Sequence, residues 1–100
     1  MSNREKEIFK NTVNLLISYF GPCKIVLFGS RAKNINKRYS DFDFAVDTKK
    51  PSMKIQRKLN EEIDKYSGLY SIDIIYLNSI NKEFKNIIIK TGKVVYERRV

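Results

Sequence analysis

The sequence has no histidine and a single cysteine, Cys23. One cysteine cannot form an internal disulfide, and without histidine or a cysteine cluster the usual zinc and transition-metal ligand sets are missing. A metal bound here has to be hard and held by oxygen. The same lack removes Ser-His and Cys-His nucleophile pairs, which leaves acid–base chemistry to Asp, Glu, Lys or Tyr. No apolar run approaches the roughly eighteen residues of a membrane span, and the opening MSNREKEIFKN is polar where a secretory leader needs an apolar stretch. A soluble cytoplasmic protein with no membrane contact is therefore expected. Acidic residues are also scarce, with 11 Asp and Glu against 20 Lys and Arg, a net charge of +9. Such a balance suits nucleic acid, a nucleoside triphosphate or an acidic protein partner, and it equally fits the Lys- and Asn-rich, Ala-poor usage of an AT-rich genome.

What is present suffices for one core. Hydrophobic residues make up 42% of the 100 residues, aromatics 12%, and no repeat or low-complexity tract is visible, so residues 1–100 are read as a single folded domain. Ile8, Phe9, Thr12, Val13, Leu16, Tyr19 and Phe20 recur at helical spacing over 4–20, and Gly21-Pro22 stops that helix. KIVLF, 24–28, predicts a strand buried on both faces. From Phe42 the pattern alternates, with Phe42, Phe44 and Val46 on one side and Asp41, Asp43, Ala45 and Asp47 on the other. Pro51-Ser52 starts a helix over 53–66 carrying Ile55, Leu59, Ile63 and Tyr66 on one face; YSIDIIYL, 70–77, predicts a third strand. A helix over 80–91 ends at Gly92, and KVVYE, 93–97, closes as a fourth strand. The order predicts an α/β (α+β) fold, a small mixed β-sheet of four strands with helices packed against it.

The segment GSRAKNINKRYSDFDFAVD, 29–47, carries the candidate chemistry. Asp41 and Asp43 are two apart in a strand, so both carboxylates leave the same face, roughly 6–7 Å apart. Like charges that close need a cation, and Mg²⁺ suits few carboxylates supplemented by water and substrate phosphate. Asp73, the one charge in its strand, becomes a third ligand if that strand lies beside 42–47. Three acids on two strands can hold two metals for in-line displacement at phosphorus. Gly29-Ser30 leaves the 24–28 strand directly, where a glycine lets backbone amides approach an anion, and Arg31 and Lys33 follow as phosphate partners. Each piece has an ordinary reading too: Gly-Ser is a common turn, D-x-D a solvated strand face, the cations a polar loop. Tyr66, Tyr70 and Tyr76 read as packing residues rather than base-stacking platforms. Lys49, Lys50, Lys54, Arg57 and Lys58 read as the solvated side of the second helix, Cys23 as a small buried hydrophobe and Asp47 as surface.

Together the pieces form a G-S-x10-D-x-D…D pattern that resembles the DNA polymerase β-type nucleotidyltransferase superfamily, and within it the minimal nucleotidyltransferase (MNT) proteins, whose GSRARG…SDxDL signature is similar to GSRAKN…SDFDF here. VLFGSRA, YSDFDFAV, SIDIIYL and IIIKTGKVVYE fall in order along nearly the whole chain. Two residues depart from the pattern: Asn34 replaces a usual glycine, and Phe44 a usual aliphatic residue. The resemblance implies a nucleotidyltransferase fold, Mg²⁺ (two ions) on Asp41, Asp43 and Asp73, help from Asp73 in activating an acceptor hydroxyl, and a nucleoside triphosphate held by Gly29 and Ser30, with Arg31 as a further contact. It also implies the antitoxin half of a toxin–antitoxin pair whose toxin is a HEPN-domain protein, with AMP passing from ATP to a tyrosine of that partner. Two alternatives stand beside it: an antitoxin that neutralises by binding alone, and a basic nucleic-acid-binding module.

Overall fold

The computed structural model describes residues 2–29 and 42–97. Helix α1 (Asn3–Phe20) opens on a capping box: the Ser2 hydroxyl accepts from the Glu5 amide and the Glu5 carboxylate accepts from the Ser2 amide, both at 3.2 Å. It buries Ile8, Thr12 and Leu16. Strand β1 (Ile25–Phe28) follows, then β2 (Phe42–Val46), helix α2 (Met53–Ser67), strand β3 (Ile72–Tyr76), a single 3-10 turn at Leu77–Ser79, helix α3 (Lys82–Thr91) and strand β4 (Lys93–Tyr96). The sequence reading holds for the three helices and four strands, with several ends displaced by one or two residues, the start of the third strand moving from 70 to Ile72. Leu77 leaves the third strand for the 3-10 turn, and α3 begins later than 80 because Asn81 is its cap, its side-chain oxygen accepting from the Phe84 amide at 2.8 Å.

The strands form one mixed sheet in the order β3-β2-β1-β4. The β1–β2 and β1–β4 pairs are antiparallel, whereas β2 and β3 run parallel. A parallel pair needs a crossover, and α2 supplies it. On one face α1 and α2 enclose Ile8, Leu16, Leu59 and Ile63 with Ile25, Leu27, Phe42, Phe44 and Val46 of the sheet. On the other, α3 packs Ile88 against Val26, Ala45 and Leu77. Complete loss of β1's first three side chains from solvent follows from this double cover.

Two polar features lock the helical layer. Thr12 is fully buried, donates its hydroxyl to the Ile8 carbonyl at 2.8 Å and accepts from the Tyr66 hydroxyl at 2.7 Å, so α1 and α2 are tied by a satisfied bond rather than by apolar contact alone. Arg4 donates to the Tyr66 carbonyl near the end of α2. The tyrosines pack as the sequence reading expects: Tyr76 sets its ring edge-on to Phe20 at 5.7 Å, and Tyr70 tilts against Phe42 at 5.9 Å. Cys23 is half-buried against the same core; burial and the nearby Asp47 carboxylate raise its thiol pKa, which keeps it a neutral packing group. Gly92 ends α3 as expected, but with an ordinary φ of −81°. Its requirement is space, since a Cβ there falls 2.5 Å from Val26 Cγ1 and 2.6 Å from the Ile88 carbonyl.

Candidate active site

The alternation in Phe42-Asp43-Phe44 sets the acid's direction. Phe42 and Phe44 are both fully buried on the α1/α2 face, stacked at 6.2 Å with planes 5° apart, and Phe44 also meets Phe9 at 5.8 Å. With two large rings anchored on one side, the intervening Asp43 has to leave the other side, where α3 packs. The aromatic at 44, a departure from the MNT pattern, thus strengthens the anchor for the residue beside it. In β3 the same logic applies: Ile72 and Ile74 join the α1/α2 core, which turns Asp73 to the side of Ile75 and α3.

The parallel register then brings the acids together. Asp43 lies opposite Asp73, and on its other side opposite Phe28 of β1. Paired strands are spaced about 4.8 Å apart, so two carboxylates from adjacent strands project side by side from one face. Asp43 is half-buried and Asp73 exposed. Phe28 borders the pair and meets Phe84 of α3 edge-on at 6.5 Å, which places the N-terminal turn of α3 beside the acids while the rest of the helix covers the sheet below them.

Gly29 closes this corner. It follows β1 directly and has φ +74°, a conformation side chains with a Cβ rarely adopt. A Cβ on Gly29 would fall 2.5 Å from the Asp43 Oδ2 atom. The glycine is therefore demanded twice, by its backbone angle and by the carboxylate that occupies the position of its missing side chain. Of the residues the sequence singles out, Gly29, Asp43 and Asp73 meet at one end of the sheet. Ser30, Arg31 and Asp41 lie outside the described residues.

A feature that the sequence reading does not single out adjoins Asp73. Beyond the β3 edge a cleft of about 450 Å³ is lined by Asn60, Asp64 and Ser67 of α2, by Tyr70 and Ser71, and by Asp73 itself. The signal for it is a polar stripe at 60, 64 and 67, spaced by four and three residues next to the buried Leu59 and Ile63. In sequence that stripe cannot be told from a solvated helix flank.

Among the described residues the donors at the corner are the carboxylate oxygens of Asp43 and Asp73, the chemistry a hard divalent cation takes. A glycine turn of this kind is one through which backbone amides can approach an anion. Among the described residues no group of three or more potential ligands is assembled, and no helix is long and apolar enough to cross a membrane.

Comparison with known proteins agrees with this geometry. No curated protein matches in sequence. Solved structures share the fold, among them the following three. A toxin–antitoxin with AMP-PNP superposes with a TM-score of 0.72 at 21% identity, covering 98% of this chain and 76% of that one. The toxin–antitoxin MntA-HepT gives 0.61 at 21% identity, covering 93% and 73%. A mutant of the toxin–antitoxin MntA-HpeT, with two aspartates two residues apart replaced by glutamate, gives 0.69 at 19% identity, covering 98% and 75%. The family described as "Polymerase beta, Nucleotidyltransferase" matches residues 10–99, nearly the full sequence. With the glycine corner and the facing acids in their places, the chain belongs to the polymerase β nucleotidyltransferase family.

Proposed function

We propose that this protein is a Mg²⁺-dependent nucleotidyltransferase serving as the antitoxin of a toxin–antitoxin pair, and that it moves AMP from ATP onto a hydroxyl, that of a tyrosine, on its HEPN-domain partner. The observation that carries this reading is the juxtaposition of Asp43 and Asp73 on paired strands with Gly29 against the Asp43 carboxylate. Support comes from the family match and from the fold shared with toxin–antitoxin proteins, one of them with AMP-PNP.

In this reading Asp41, Asp43 and Asp73 hold the metal, and Gly29, Ser30 and Arg31 receive the triphosphate. When bound, Mg²⁺ lowers the acceptor hydroxyl's pKa and neutralises charge on the leaving pyrophosphate. The chain's own groups do the positioning. Gly29 lets its backbone approach the phosphates, and Asp43 fixes the boundary between phosphates and acceptor. Asp73, the more exposed acid, faces the acceptor and takes the hydroxyl proton. The acceptor oxygen forms a bond to the α-phosphorus as the bond from that phosphorus to the bridging oxygen breaks, and pyrophosphate leaves with the electron pair.

The test is intact-mass spectrometry of the purified partner toxin after incubation with the full chain, ATP and Mg²⁺. An added adenylyl group is expected, absent with Asp43→Asn, Asp73→Asn or a chelator. A toxin that is neutralised yet unmodified would overturn the transfer reading and leave neutralisation by binding.

A further inference from the structure

We propose that the end of the sheet opposite the acids carries a binding surface for single-stranded nucleic acid. The sequence scatters its lysines, and the fold gathers three that lie far apart in the chain. At the C-terminal end of β3 two hollows adjoin, of about 210 and 410 Å³, with Ile80 in the wall of both. Lys50, Gln56 and Ser79 line the first, and Asn78, Lys82, Lys85 and Asn86 the second. The seam between them is pinned by three hydrogen bonds: the Lys50 amide donates to Ser79 Oγ at 2.8 Å, the Asn78 amide to the Thr48 carbonyl at 3.1 Å, and Lys85 Nζ to Asn78 Oδ1 at 3.0 Å. Residues 48–50, the 3-10 turn and α3 are thereby fixed against one another. Asp73 belongs to the other end of β3, about 10 Å along the strand from Tyr76.

Charge and the donor set select the occupant. No Asp or Glu lines either hollow, and among the described residues no salt bridge engages Lys50, Lys82 or Lys85. Lys82 and Lys85, three apart, share one flank of α3, whereas Glu83, two from Lys85, is turned about 200° away from it. Asp47 lies beside Lys24 and Cys23 at the foot of β1, its amide on the Lys24 carbonyl. Three ammonium groups without counter-charges attract phosphates. The amide side chains add the means to read bases: Asn78 keeps its NH₂ for a ligand after accepting from Lys85, and Gln56 keeps its carbonyl oxygen after donating to the Pro51 carbonyl. With Asn86 they offer the mixture of donors and acceptors that nucleobase edges match, and that an acidic peptide side chain, which only accepts, does not use. Cations set around hollows, rather than along a projecting helix or ribbon, suit the splayed bases of a single strand over the groove of a duplex.

The inference stands apart from the transfer reading, and fluorescence anisotropy on the full chain tests it. The probes are a labelled oligouridylate and oligothymidylate of about eight nucleotides and a duplex of the same length, each titrated from about 50 to 200 mM salt. At about 0.7 counterions released per phosphate on a single strand, three lysine contacts give a slope of log K against log salt of about −2, an affinity loss of about 20-fold over that range. Lys50→Gln, Lys82→Gln and Lys85→Gln should each flatten the slope by about 0.7 without lowering Tm. The controls are Lys54→Gln and Lys58→Gln, each two residues from Gln56 and so on the far flank of α2, which should leave it nearly unchanged. Binding of either single strand in this way supports the inference, and the tighter of the two identifies the sugar. No binding at the lowest salt, a duplex bound as tightly, equal competition by a polyglutamate peptide, or the same flattening in the control variants would overturn it.

Discussion

Replacing Gly29 with alanine probes both reasons for the glycine at once. At φ +74° a Cβ costs about 1–2 kcal/mol in the left-handed region. For a domain of this size that lowers Tm by about 4–8 °C per kcal/mol. The second effect is local. The new Cβ would begin 2.5 Å from Asp43 Oδ2, closer than the 3.0 Å below which something must shift, so the carboxylate has to retreat. A displacement of about 1 Å at a reacting centre costs on the order of 10²-fold in rate. Gly29→Ala should therefore remain folded, melt lower, and transfer AMP about 10- to 100-fold more slowly at temperatures where it is fully native. Gly92→Ala is the control: its ordinary φ brings no backbone strain, but its Cβ crowds Val26 and the Ile88 carbonyl, so it should lose about 1–3 kcal/mol while its folded fraction keeps the wild-type rate. Denaturant titration gives the stabilities and single-turnover transfer the rates. A wild-type rate in folded Gly29→Ala, or an equal rate loss in Gly92→Ala, would refute the reasoning.

Phe44→Ala removes a fully buried ring that stacks on Phe42 and meets Phe9, so urea denaturation should show a loss of about 3–5 kcal/mol, with Phe44→Leu losing less. Alkaline stability follows the tyrosines. The Tyr19 pKa is raised by its hydrogen bond to Glu62 and then by burial, and those of Tyr66 and Tyr76 by burial, all above the ordinary 10.0. The folded chain thus keeps protons that the unfolded chain gives up, and the stabilisation, fully present below that value, should be lost as pH rises through it. Urea midpoints at pH 9 and above 10 check this, and Tyr76→Phe should shallow the decline.

The elements were legible in the sequence because their signals are local: Gly21-Pro22 stops the first helix, Pro51-Ser52 starts the second, and the Phe42-Asp43-Phe44 alternation fixes which way the acid points. Even the partnership of Asp43 with Asp73 was legible, through the family resemblance and the isolation of Asp73 in an apolar strand. Other features depend on distance in space. Nothing in IIIKTGKVVYE says that α3 crosses the face opposite α1 and α2, or that β4 joins β1 rather than β3. The contact of Gly29 with Asp43 is a property of two residues fourteen apart, and the space requirement at Gly92 depends on Val26. The cleft beyond β3 needed the C-terminal end of α2 and the start of β3 to be set beside one another before its polar stripe meant anything.

The central claim is that three acids and a glycine corner direct attack at the α-phosphorus of ATP. It is tested most directly by incubating the chain, its partner toxin and Mg²⁺ with ATP labelled at either the α- or the γ-phosphate. The account predicts that α-label becomes covalently attached to the toxin while γ-label leaves as pyrophosphate, and that Asp43→Asn abolishes both. Label reaching the toxin from the γ-position, or none reaching it from the α-position, would contradict it.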